Sequence, residues 1–330
     1  MFHFFSLFTL ACLSLVSTQS TCMDAPITIR EITAISKPGF AAFLQNNNTA
    51  TITGRTCSVV DLAHDVSIIG IPLEKPNRVI INDKKNLIAA ANHDTCVLYD
   101  TETYSTKWQH TIEIMDRLAF TPDDTLWVLT KKGMLFNSIG KTYQIPHAVY
   151  TDINICSHPR KQQLFYTKPE ENLAKSILYA LKIKNDIPTI EPMLIPPRLI
   201  SNFFDNSAML SLHAPTENIV ALYYPIDGNW SLYNYTEDRI INDAAFVECN
   251  NLAFHPNKAI VAMVMKNKLL RLYNFKTNTL LAEINLPNPP FPSTTAINQR
   301  TMDFSIDGNR LIFMLADKCF VADINPAVLD

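Results

Sequence analysis

The sequence is poor in glycine, with 7 among 330 residues, where average usage would be roughly 7%. Neither G-x-G-x-x-G nor a P-loop occurs, and G-x-S-x-G and H-E-x-x-H are missing as well. Without them the chain lacks the signatures of phosphate cradles, nucleophile elbows and zinc proteases. No run of Lys or Arg is present and the formal net charge is -3, so the counterion release that drives nucleic-acid binding has no source. C-x-x-C and Cys/His zinc spacings are also absent. What remains, 47% hydrophobic and 18% charged, is the composition of a folded globular chain, which excludes extended disorder. Scarce glycine beside frequent Asn, Ile and Lys reads as the codon bias of an AT-rich genome.

No apolar segment reaches the about 20 residues needed to span a bilayer as a helix. The longest is N-terminal, MFHFFSLFTLACLSLVSTQSTC, apolar over residues 4–16 and then small and polar. That length suits a secretory h-region, although the n-region carries only His3 and the α-amine. Residues 1–20 are therefore expected to be a signal peptide cut near residues 17–20, leaving residues 21–330 as a single domain, secreted or periplasmic. Cleavage would remove Cys12 and leave Cys22, Cys57, Cys96, Cys156, Cys249 and Cys319. An even count permits disulfides, but a domain of this size builds its own core. Cys57, Cys96 and Cys319 share the frame C-x-(V/L)-x-D, and buried free thiols are expected there.

What the chain does contain is a repeat. FHPNKAIVAMVMKNKLLRLYNFKTNTLLAEI, from Phe254, reads as an apolar strand end, a turn, an apolar strand, a tight turn, a strand ending Leu-Tyr-Asn, another turn and a last strand. The pattern returns from Ile80, Leu118 and Thr301, more weakly from Phe40, and in degenerate form from Ile153 and Met209. The first strands of the seven copies then end at Phe43, Ile81, Phe120, Cys156, Leu212, Phe254 and Phe304, at intervals of 36 to 56 residues. Spacing near 40 to 45 is that of one four-stranded propeller blade. Runs such as IVAMVM and LIFMLA are apolar at consecutive positions, as strands covered on both sheet faces must be. The fold class is thus all-β, a seven-bladed β-propeller of four-stranded antiparallel blades.

The third-strand segments HDTCVLYD, KNKLLRLYNFKTNTLL and GNWSLYNY resemble the signature of WD-repeat β-propellers, with Tyr for Trp, and Asn for Asp in the last two. TPDD, HPNK and SIDG resemble the turn before the second strand of that family. No copy has a Gly-His pair before its first strand and none ends in Trp-Asp, so the family's hydrogen-bonded tetrad is absent or fragmentary. The seventh copy ends at CFVADI with no fourth strand, whereas ITIREI, at residues 27–32, belongs to no earlier blade. An open outer edge would leave backbone groups unpaired, so residues 27–32 are expected to complete the seventh blade and close the ring.

Candidate chemistry is sparse. His158, His213 and His255 fall at similar places just after first strands and are either a metal-binding rim or, more simply, turn residues. DFSIDG starts like a calcium loop, but Met314 stands where the bidentate acid belongs, which leaves a turn. The acidic pairs Asp123/Asp124 and Glu170/Glu171 read as solvated turn residues, and the sequons at Asn47, Asn229 and Asn234 matter only in a host that glycosylates. The longest connections into a first strand are PPRLISNFFDN and PNPPFPSTTAINQR, and long loops on a rigid scaffold are where function concentrates. Phe203, Phe204 and Phe291 are therefore the candidate binding residues. The expected function is a non-catalytic, monomeric protein-binding platform with no cofactor, no metal and no nucleic-acid partner, and not membrane-spanning. The alternative is a propeller lactonase or hydrolase with a metal in the central channel.

Overall fold

The computed structural model describes residues 25–36, 38–111, 115–130, 133–145, 155–158, 160–161, 163–169, 176–184, 187–194, 209–224, 229–241, 243–287, 302–315 and 318–330. The first strand, β1 (Ile27–Ile32), stands apart from the blade that follows it. Blade 1 comprises β2 (Phe40–Phe43), β3 (Thr49–Thr53), β4 (Thr56–Asp61) and β5 (Val66–Glu74). Blade 2 comprises β6 (Arg78–Ile81), β7 (Leu87–Ala91), β8 (Thr95–Asp100) and β9 (Ser105–Thr111). In blade 3 these are β10 (Met115–Phe120), β11 (Leu126–Thr130), β12 (Met134–Asn137) and β13 (Thr142–Gln144). Blade 4 is built from β14 (Ile155–Ser157), β15 (Gln163–Pro169), β16 (Ser176–Lys184) and β17 (Ile187–Leu194). Blade 5 follows with β18 (Met209–His213), β19 (Ile219–Tyr224), β20 (Asn229–Asn234) and β21 (Arg239–Ile241). Blade 6 is β22 (Cys249–Phe254), β23 (Ile260–Met265), β24 (Leu269–Asn274) and β25 (Thr279–Asn285). Blade 7 has β26 (Met302–Phe304), β27 (Arg310–Leu315) and β28 (Lys318–Ile324) from the C-terminal end.

Each sheet is a meander of antiparallel neighbours, and the seventh is completed by the N-terminal strand in the order β1-β28-β27-β26. Pairing runs from Ile27 opposite Ile324 to Ile32 opposite Cys319, the expected closure. Three further contacts hold that strand. Asn325 donates its backbone N–H to Pro26 O at 3.0 Å, and Lys318 pairs with Glu31 at 2.9 Å. Asp65, in blade 1, accepts the backbone N–H groups of Thr33 and Ala34. The charges at Arg30 and Glu31 sit on an outer edge, where they discourage further strand pairing.

The core is not one mass but a layer of apolar side chains at every blade interface. Successive residues of a strand point to opposite faces, and each face of a blade meets a different neighbour. Leu311, Phe313 and Leu315 of β27 pack with blade 6, whereas Ile312 and Met314 pack with blade 1. In β23, Ile260, Ala262 and Val264 face blade 7, and Val261, Met263 and Met265 face blade 5. This two-sided burial is why IVAMVM is buried at all six positions. First strands of neighbouring blades touch one another around the axis, and the fourth strands lie outermost, as in β9, with six of seven residues exposed.

The expected ends of the first strands hold in blades 1, 2, 3, 6 and 7. In blades 4 and 5 the strands end one residue later, at Ser157 and His213, instead of Cys156 and Leu212. Cys57, Cys96 and Cys319 each occupy the second position of a third strand, and with Cys249 they are buried free thiols; Cys156 is buried as well.

Candidate functional site

The antiparallel order puts two sets of turns at one end of the ring: those joining first to second strands and those joining third to fourth strands. The chain crosses from blade to blade at the other end.

At the turn end, the inner turns interlock from blade to blade. Asn257 of blade 6 donates its side-chain amide to Ile306 O of blade 7 at 3.4 Å. Ile306 donates its N–H to Asn47 Oδ1 of blade 1 at 2.9 Å, and Arg310 Nη1 reaches Asn47 O at 2.7 Å. Gln45 of blade 1 donates its N–H to Lys85 O of blade 2 at 3.0 Å. Asn82 Nδ2 and Lys84 Nζ of blade 2 both bind Asp124 of blade 3, at 2.9 and 2.5 Å. The reading of Asp123 and Asp124 as solvated turn residues holds for Asp123, which is exposed in its turn, and is corrected for Asp124. Asp123 also accepts the Thr121 and Thr125 hydroxyls, local donors within reach of a turn carboxylate. Glu170 and Glu171 lie outside the described residues.

Lys85 and Asp303 form the axis-side centre of this rim. Asp303 Oδ2 accepts both the Lys85 ammonium and the Phe43 N–H, the latter at 3.0 Å. Phe43 lies in β2, whose only sheet neighbour is β3, so an N–H donated to Asp303 points to the open inner edge. The ammonium also donates to Phe304 O at 2.5 Å. Lys85 and Arg310 stand at 5.9 and 5.7 Å from the Phe43 ring centroid, within cation–π range. Side-chain exposures of 11% and 13% make this a buried ion pair between blades 2 and 7. The sequence does not mark Asp303, which opens a segment, DFSIDG, that reads as a turn, nor Lys85, which is one lysine in a hydrophilic turn. A signal existed for Lys85: it occupies the position of Gly308 in the turn, with φ of 59° against 77°.

The outer turns explain the Tyr-Asp and Tyr-Asn signatures. Asp61, Asp100, Asn234 and Asn274 each end a third strand and accept the backbone N–H groups two and three residues ahead. The preceding tyrosines of blades 5 and 6 close the same turns from the other side. Tyr233 donates to Asp238 at 2.7 Å and Tyr273 donates to Asn278, both acceptors having positive φ. Burial raises the Asp100 carboxyl, but Lys107 at 2.5 Å and the Thr103 and Glu102 amides outweigh it and hold the pKa down at about 2.

His158 and His255 are turn residues. Each is buried and accepts backbone N–H groups at Nδ1, from Arg160 in one turn and from Asn257 and Lys258 in the other. His213 ends β18, and Ala214 takes the equivalent position. Among the described residues no three His, Cys, Asp or Glu side chains gather as a metal site would require. Ser305, Asp307 and Gly308 form a turn. Of the sequons, Asn47 belongs to the interlocked rim and Asn234 caps an outer turn.

At the connection end, a 3-10 helix (Asp243–Phe246) joins blades 5 and 6, with Phe246 buried and Val247 47% exposed. Phe203 and Phe204 fall between β17 and β18, and Phe291 between β25 and β26. All three lie outside the described residues. So do residues 1–24, with the expected signal peptide, Cys12 and Cys22. Among the described residues no helix is long and apolar enough to cross a membrane.

No family model matches the sequence, and no curated protein matches it. Solved structures do match its fold. The WD40 repeats of RRP9 superpose with a TM-score of 0.66 at 12% identity, covering 90% of this chain and 97% of that one. A chain of the mitotic checkpoint complex superposes with a TM-score of 0.62, also at 12% identity, covering 97% of this chain and 99% of that one. The chain has the fold of the WD40-repeat propellers.

Proposed function

We propose that this WD-repeat-like propeller is an exported, non-catalytic platform that binds a protein partner at the connection end of the ring. The observation that carries the reading is the tying of the turn end. The inner turns of blades 6, 7, 1, 2 and 3 are tied to one another, so that end is a brace. Binding residues concentrate on loops that a rigid scaffold positions. Both long segments expected to carry contacts fall between an outermost strand and the next first strand, and the described strand ends bordering them lie at the connection end. The mitotic checkpoint assembly contains a chain of the same fold, a use of the fold in keeping with this one. Buried Asp303 is already matched by Lys85, so the axis-side carboxylate of blade 7 is committed to the brace.

The test replaces Phe203, Phe204 and Phe291 together with Ser and compares capture of partners from the native compartment. Loss of a partner held by the wild type, with the melting temperature nearly unchanged, supports the reading. Unaltered capture overturns it. A stoichiometric Ca²⁺ or Zn²⁺ in the purified protein would favour a metal-dependent enzyme instead. Mass analysis of the mature protein decides export, an N-terminus near residues 17–20 being expected.

A further inference from the structure

His255 carries out in blade 6 the task that asparagines perform in the outer turns. Its Nδ1 accepts the N–H groups of Asn257 and Lys258, both at 3.1 Å. These are two and three residues ahead, the pair that Asn234 and Asn274 cap with Oδ1. His158 does the same in blade 4, accepting the Arg160 N–H at 3.0 Å. An accepting Nδ1 must be unprotonated, which places the single ring proton on Nε2. His255 Nε2 is buried and faces Gly308 of blade 7, where a Cβ would overlap the imidazole. It has no hydrogen-bond partner among the described residues. The ring also lies 5.2 Å from the Phe304 ring centroid. His255 is thus wedged between its own turn and the blade 7 turn, with no room to rotate.

We propose that His158 and His255 are acid-released latches: neutral, they hold the inner turns of blades 4 and 6 closed, and protonation opens those turns and loosens the brace between blades 6 and 7. Protonation turns Nδ1 from an acceptor into a donor, leaving the Asn257 and Lys258 amides without their acceptor and a cation in an apolar wedge. The charged groups set against His255 are Lys258 from its own turn, itself tied to Asp330 at 2.7 Å, and Asp307 from blade 7. Burial dominates, Lys258 adds to it and Asp307 opposes it, so the pKa falls to about 4. For His158, burial followed by Lys161 and Arg160 also lowers it to about 4. The consequence extends past the turn, because Asn257 holds Ile306, which in turn holds Asn47 of blade 1.

The sign of the pH dependence follows from the depressed pKa. Unfolded histidine takes up a proton near pH 6.5, whereas the folded rings resist until about pH 4. Stability is complete above about pH 6.5 and falls between there and about pH 4. Each latch raises the unfolding constant by up to about tenfold per pH unit in that window.

The test compares the full chain with H255N and with the double variant H158N/H255N, in which an amide oxygen replaces the acceptor but cannot titrate. Urea unfolding from pH 7.5 to 4.5, with amide exchange at Asn257 and Lys258, is the readout. A steep wild-type loss that H255N reduces and the double variant reduces further, with the two wild-type amides deprotected in acid, is the expected result. An unchanged pH slope in the double variant overturns the proposal. Should H255N fail to fold, imidazole NMR titration of the wild type decides: a His255 midpoint near 4 supports the latch, and one near 6.5 overturns it.

Discussion

Lys85 of blade 2 reaches past blade 1 to pair with Asp303 of blade 7, across the inner edge of β2. Removing one partner of a buried pair leaves the other charge uncompensated, which costs about 3 to 5 kcal/mol. D303A should therefore lower the urea midpoint sharply. K85M/D303L should recover much of the loss, because the cavity is refilled and no charge is stranded. Lys85→Gly separates backbone from side chain: it relieves the positive φ but strands Asp303, and a stability at or above wild type would show that the pair contributes little.

Ring closure makes its own prediction. Deleting residues 21–33 removes β1 with its ladder to β28, the Glu31–Lys318 pair and the Thr33 and Ala34 bonds to Asp65. The whole ring should be destabilised far more than by an internal loop deletion of equal length. Amide exchange in wild type should show Arg30 and Ile32 protected, their N–H groups facing β28; a truncated protein melting at the wild-type temperature would contradict closure by this strand.

Tyr273 and Tyr233 should tolerate Phe unequally with Leu. Phe keeps the packing and loses the hydroxyl bond to Asn278 or Asp238, about 1 kcal/mol for the neutral acceptor and about 1.5 to 3 kcal/mol for the charged one. Leu also empties part of the blade interface. Thermal unfolding of the four single variants separates the two contributions.

Gly308 has φ of 77°, and a Cβ there would overlap His255. The left-handed backbone alone costs an alanine about 1 to 2 kcal/mol. G308A should exceed that figure, and adding H255A should return part of the loss by clearing the overlap. Equal stabilities of the single and double variants would mean that the imidazole does not fill this space.

Asp100 sets a second, lower acid limit. Its pKa is held at about 2 against an ordinary value near 3.9, so its stabilisation is present above about pH 4 and lost as pH falls towards 2. K107M should narrow that window, measured as the pH dependence of unfolding below pH 4.

The ring was legible in the sequence because blade architecture is written in local terms. Consecutive apolar residues in IVAMVM mean two covered faces, and Asn or Asp after Tyr marks a turn capped by its own strand end. The count of seven followed from spacing, and the closing strand from an unpaired edge at one end and a surplus strand at the other. Boundaries differ by one residue in blades 4 and 5, where the strands end at Ser157 and His213, since strand ends depend on the last ladder bond and not on the side-chain pattern.

What only the tertiary structure decided is how distant turns meet. Asp124 looked solvated because its partners, Asn82 and Lys84, sit some 40 residues earlier, and Asp303 meets Lys85 across 218 residues. Local sequence fixes which backbone groups a side chain caps within its own turn, because the partner is two or three residues away. Pairing between blades depends on the curvature that brings the seventh blade beside the first, and no local pattern encodes that distance.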